Sequence, residues 1–161
     1  MIGRFALVDT MQEVKFTYRA LKDQLAALYQ GERDGLANAA NLSAVLYQGL
    51  PHVNWVGFYF VRGHELVLGP FQGKVACGRI ALGRGVCGAA AQRGETLVVP
   101  DVHEFPGHIE IVVPLVQMDR VVGVLDLDSP QPARFDQEDV TGLETIVDVF
   151  LQCSDLSRLG D

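Results

Sequence analysis

Apolar residues recur at helical spacing only near the two ends of this chain, while the middle reads as short strands joined by tight turns. This order is what most narrows the fold. Strands linked by short turns must pair antiparallel, because a parallel pair needs a long crossover. Helices segregated from such strands pack on a face of the sheet, so the expected class is α+β with an antiparallel sheet.

The individual signals are local. Thr10 and Glu13 form a T-x-x-E capping box, followed by Val14, Tyr18, Leu21, Leu25 and Leu28 at helical spacing up to Gly31. Asp34 is placed to cap a second helix with an apolar face of Leu36, Ala39, Leu42, Val45 and Leu46, ending at Gly49. Residues 54–61, Asn-Trp-Val-Gly-Phe-Tyr-Phe-Val, are aromatic and β-branched and predict a strand. Its period of two puts Val56, Phe58 and Phe60 toward a core. Trp55, Gly57 and Tyr59 face the other way, where the glycine leaves space for a ligand wall.

Arg62-Gly63-His64 predicts a hairpin into residues 65–68. A strand is expected over 76–81, a small-residue helix over 86–93 after Gly83-Arg84-Gly85, and a short strand over 96–99. Residues 101–109 read as a loop containing Pro106-Gly107. Paired strands are expected over 111–116 and 121–127 around Met118-Asp119-Arg120. Asp136 caps a last helix with Leu143, Ile146, Phe150 and Cys153 on one face.

Composition excludes several classes. Thirteen basic residues stand against 20 acids, a net charge of −7, so neither nucleic acid nor anionic membrane is an expected partner. No apolar run reaches the roughly 20 residues of a membrane span. Residues 1–12 lack the apolar stretch and cleavage site of a signal peptide, so a cytoplasmic protein is expected. Three cysteines without an export signal predict reduced thiols rather than a disulfide scaffold. No C-x-x-C exists and His52, His64, His103 and His108 lack helical pair spacing, so no metal is expected.

Four residues carry candidate chemistry. Cys87 sits where a glycine turn enters a helix, a position that favours thiolate, with Arg84 close by. The alternative is a small buried cysteine in a tight turn. Asp126 and Asp128 are two apart in a strand and so share a sheet face, which like charges tolerate only with a cation, donor or proton between them. Glu110 is an acid at a strand entry. Cys77 reads as structural in the middle of a strand, and Cys153 as core. A sulfoxide oxygen leaves only once protonated, so an acid beside a thiol, with carboxylates for an ammonium and an aromatic wall, would suit reduction of a free amino-acid sulfoxide.

Residues 54–59 (Asn-Trp-Val-Gly-Phe-Tyr), 68–73 (Leu-Gly-Pro-Phe-Gln-Gly), 83–88 (Gly-Arg-Gly-Val-Cys-Gly), 100–103 (Pro-Asp-Val-His), 105–109 (Phe-Pro-Gly-His-Ile) and 123–129 (Gly-Val-Leu-Asp-Leu-Asp-Ser) resemble the free methionine-(R)-sulfoxide reductases, which are GAF-domain enzymes. The resemblance runs from about Ala20 onward. It implies a single GAF domain over 1–161: a six-stranded antiparallel sheet with helices packed on one face and a ligand pocket on the other. It also implies reduction of free methionine sulfoxide without a cofactor, through a sulfenic acid and a disulfide that thioredoxin reduces, by a homodimer. By motif, Cys87 matches the resolving cysteine, Cys77 an accessory thiol and Glu110 the acid that protonates the sulfoxide. Asp126 and Asp128 match the acids that hold substrate, and Trp55 and Tyr59 the aromatic wall. Cys87→Ser is then expected to spare one turnover and slow recycling.

One departure stands out. The family carries its nucleophilic cysteine in a short segment between the His-Ile of the Pro-Gly loop and the following Glu, whereas here Ile109 runs directly into Glu110. With every other pocket motif intact, the expectation is a break at this junction, with Cα atoms farther apart than the about 3.8 Å of bonded neighbours. A continuous peptide would instead mean a sensor-like relative or an enzyme using Cys87 as nucleophile. The alternative to catalysis is a GAF module that only binds a small molecule. A purely structural dimerisation domain would leave the acids and Trp55 without a reason.

Overall fold

The computed structural model describes residues 17–101, 103 and 109–160. Six strands form one antiparallel sheet: β1 (Trp55–Arg62), β2 (Glu65–Gly73), β3 (Arg79–Ala81), β4 (Leu97–Val99), β5 (Ile109–Gln117) and β6 (Arg120–Ser129), in the spatial order β3-β2-β1-β6-β5-β4. Among the described residues, four helices accompany them: α1 (Tyr18–Leu28), α2 (Gly35–Gly49), α3 (Gly85–Arg93) and α4 (Gln137–Cys153). Among the described residues, no helix is long and apolar enough to cross a membrane.

Strand alternation separates two apolar layers. Val56, Phe58 and Phe60 of β1 join Ile111, Val113 and Leu115 of β5 and Leu125 and Leu127 of β6 in the main core, beneath residues of α1, α2 and α4. The opposite face collects Trp55, Tyr59, Val112 and Val124 with Val86, Cys87, Ala90 and Ala91 of α3. Three helices therefore cover one face as the sequence predicts, and α3 lies on the other beside the cavity described below.

Capping explains the helix boundaries. Asp34 accepts from the Ala37 amide to start α2, and Asp136 and Asp139 form a reciprocal capping box on α4. Asp139 also accepts from Tyr18 Oη and pairs with Arg134 at 3.0 Å, tying α1 to α4. The first helix begins later than its periodicity implied, because Thr17 is extended and caps it through the Ala20 amide. The Thr10–Glu13 capping box and Val14 lie outside the described residues. Leu36 departs from the expected core face of α2 and is exposed, while Asn38 and Ser43 are buried there. Asn38 is satisfied by the Glu32 carbonyl and Ser154 Oγ.

The expected strand over 76–81 shortens to Arg79–Ala81, so Cys77 is an exposed loop residue rather than a structural one inside a strand. Cys153 is half-buried at the edge of the core. Met118 and Asp119, both at positive φ, make the β5–β6 turn, as the right-handed twist of a tight hairpin demands.

Ile109 and Glu110 are consecutive residues of β5, paired in register with Ser129 and Asp128. The expected break at this junction is therefore corrected: the strand is continuous, and no thiol-bearing segment stands between the two residues. The Pro106-Gly107 turn and His108 lie outside the described residues.

Candidate active site

Register brings the acids together. Trp55 pairs with Asp128 and Gly57 with Asp126 across β1–β6, while Glu110 pairs with Asp128 across β5–β6. Directly paired residues share a sheet face, so Trp55, Glu110, Asp126 and Asp128 all project to the side opposite the main core. The start of α3 closes over this face. The resulting cavity, about 1010 Å³, is lined by Trp55, Tyr59, Cys77, Cys87 and the three acids. Each residue singled out in the sequence for the site reaches this one space.

The Trp55 indole does not leave Gly57 open, as the sequence suggested. A Cβ on Gly57 would come within 2.5 Å of Trp55 Cη2, so the ring lies over the glycine itself. It stacks on Phe71 at 5.4 Å and on Tyr59 at 6.2 Å between centroids, and its Nε1 donates to the Lys74 carbonyl. Tyr59 Oη donates to the Cys77 carbonyl at 2.9 Å. Two aromatic side chains thus hold the loop 74–78 as one wall. Sequence reasoning missed this wall because no local pattern shows which carbonyls a distant indole and phenol will reach.

At the floor, one ligand-type atom each from Cys87, Glu110 and Asp126 lie within 4.8 Å of one another, and all three residues are buried. Burial, followed by the Asp128 charge, pushes Glu110 up to about 7, against the effect of its hydrogen bond with Asp126. Burial and then the Asp128 and Glu110 carboxylates hold Asp126 well above the usual carboxylate range. One of its oxygens, Oδ1, is buried without a hydrogen-bond partner.

The thiolate expected at Cys87 is corrected. Its thiol is pushed up, first by burial and then by the Asp126 and Glu110 carboxylates, with a further rise from its hydrogen bond to Asp126. Arg84, the N-cap of α3, is exposed and makes no side-chain capping bond, so it does not offset them. The site therefore sets a thiol whose charged form burial opposes against two hydrogen-bonded carboxyls, beneath an aromatic wall. It can donate protons to a bound oxygen and accept a cationic amine at its acids.

Known proteins resemble this chain in sequence and fold. The GAF domain pattern matches residues 10–152. Free methionine-R-sulfoxide reductase of Escherichia coli is 48% identical over 145 residues, spanning 85% of this chain and 87% of its own. The free methionine-R-sulfoxide reductase of Neisseria meningitidis, solved in complex with its substrate, superposes with a TM-score of 0.79 at 44% identity over 84% of this chain and 87% of its own. The fRMsr of Staphylococcus aureus, also solved with substrate, gives a TM-score of 0.82 at 44% identity over 85% and 95%. A GAF match over most of the chain and relatives this similar along nearly their full length lead to one conclusion: the chain belongs to the GAF-domain family of free methionine-R-sulfoxide reductases.

Proposed function

We propose that this protein binds free methionine-(R)-sulfoxide in the acid cavity and reduces it to methionine by thiol chemistry. The observation that carries the reading is the packing of the Cys87 sulfur, Glu110 and Asp126 within 4.8 Å in a cavity walled by Trp55 and Tyr59. Asp126 and Asp128 serve the substrate ammonium, and the aromatic wall receives the methyl-sulfur end. Glu110, partly protonated near neutrality, is the acid for the sulfoxide oxygen.

In this reading, with β5 continuous at Ile109–Glu110, Cys87 takes the attack in place of the resolving role its motif implies. Its sulfur bonds to the sulfoxide sulfur, and the oxygen, protonated by Glu110, transfers to the cysteine as methionine leaves. The thiol proton replaces the one Glu110 gave. The sulfenic acid then condenses with Cys77, which lines the same cavity, releasing water and forming a disulfide. Thioredoxin returns both thiols by disulfide exchange. The working form is a cytoplasmic homodimer of a single GAF domain that needs no cofactor.

A second reading is favoured by the same continuity of β5 and by the burial that pushes the Cys87 thiol up: a binding module that recognises the sulfoxide without reducing it. Rapid mixing of reduced protein with free L-methionine-(R)-sulfoxide separates the two. Reduction predicts close to one methionine released per chain, with oxidised Cys87 in the mass spectrum. Cys87→Ser then loses the release, and Cys77→Ser keeps the first turnover but stops thioredoxin-driven cycling. Calorimetric binding with no methionine released would establish the binding module, and absence of both would refute the site assignment.

A further inference from the structure

We infer that Cys87, Glu110 and Asp126 form a binding site for a thiophilic divalent cation of the Zn²⁺ class. The three residues come from α3, β5 and β6, at separations no sequence spacing rule would connect, and their ligand atoms lie within 4.8 Å of one another. Tetrahedral Zn²⁺ takes sulfur at about 2.3 Å and carboxylate oxygen at about 2.0–2.2 Å, so its ligands stand roughly 3.3–3.8 Å apart. Closing the trio onto an ion requires a contraction on the order of 1 Å, within the reach of side-chain rotation.

A second observation points to a ligand. Asp126 is 6% exposed, and its Oδ1 has no hydrogen-bond partner. A buried carboxylate oxygen left unpaired is costly, and a cation would remove that cost.

The donor set selects the ion. A sulfur donor disfavours Mg²⁺ and Ca²⁺, which prefer oxygen alone, and suits Zn²⁺ or Co²⁺. Three protein ligands leave a fourth position toward the cavity for water or a small ligand. The cation and methionine sulfoxide would compete for the same acids. The inference does not depend on the protein being a reductase, since it concerns the substrate-free thiol and carboxylates.

Cobalt titration tests it without any turnover. The protein is kept reduced with a non-thiol phosphine and titrated with Co²⁺. One equivalent is expected to produce a thiolate-to-cobalt charge-transfer band, and equimolar Zn²⁺ to bleach it. The doubly substituted Cys77→Ser/Cys153→Ser protein, with Cys87 as its one thiol, should keep the band. Cys87→Ser should lose it, and Asp126→Asn, which removes a charged ligand, should weaken binding. No band in the folded double variant overturns the inference. So does a band that survives Cys87→Ser, which would place the metal on surface thiols or histidines.

Discussion

The thiol of Cys87 lies under two opposing influences. The N-terminus of α3 favours a thiolate, by about 1 kcal/mol for a well-placed charge. Burial and the carboxylates of Asp126 and Glu110 oppose it, and the net direction is upward. The helix dipole is the influence visible in sequence, and the larger opposing ones arise only when β5 and β6 arrive beside it. Glu110 shows the same effect on an acid. Its carboxyl rises from an ordinary 4.5 to about 7, so the folded state binds its proton more tightly than the unfolded state does. The associated stability is complete below about 4.5 and is lost as pH rises through about 7, by on the order of 3 kcal/mol. Urea unfolding of the wild type is therefore expected to show falling stability from pH 5 to about pH 8. Glu110→Gln should flatten that fall. An equal slope in the variant would assign the titration to another group.

At the level of elements, the β1–β6 pairing determines the site. A one-residue slip would turn Asp126 and Asp128 into the main core and Leu125 and Leu127 into the cavity. Gly57 guards the pocket face of β1, because a Cβ there meets the indole of Trp55 and the Cβ of Phe71. Gly57→Ala is expected to destabilise the protein by about 1–3 kcal/mol and to shift the Trp55 emission as its stack opens. A variant with wild-type stability and unchanged emission would show that the ring moves aside freely. The continuity of β5 acts at this scale as well. By running from Ile109 to Gln117, with one register irregularity between Leu115 and Val116, it brings Glu110 opposite Asp128.

For the molecule as a whole, the cavity joins groups from both halves of the sheet and from α3, so a ligand held there stabilises the entire fold. At about one hundred times Kd, a ligand bound only by the native state adds about 2.7 kcal/mol. Thermal unfolding followed by Trp55, the single tryptophan of the chain, should shift upward with free methionine-(R)-sulfoxide. It should shift little with the N-acetylated sulfoxide, which lacks the ammonium that Asp126 and Asp128 would hold. Equal shifts with both compounds would remove the acids from amino-group recognition.

The sequence by itself determined the class of fold, the two faces of β1, the caps at Asp34 and Asp136, and the hairpin between β5 and β6. These depend on contacts within a few residues, or on a period of two or 3.6, and are legible along the chain. The motifs also marked Trp55, Tyr59, Cys87, Glu110, Asp126 and Asp128, all of which line the cavity. Tertiary structure decided the rest. It placed Cys77 in an exposed loop, laid the indole over Gly57, put α3 on the pocket face and ran β5 unbroken through Ile109–Glu110. It also pushed the Cys87 thiol and the Glu110 carboxyl above their ordinary ranges. The physical reason is common to these cases: desolvation and through-space charge depend on which distant segments pack together, and local sequence does not encode that distance.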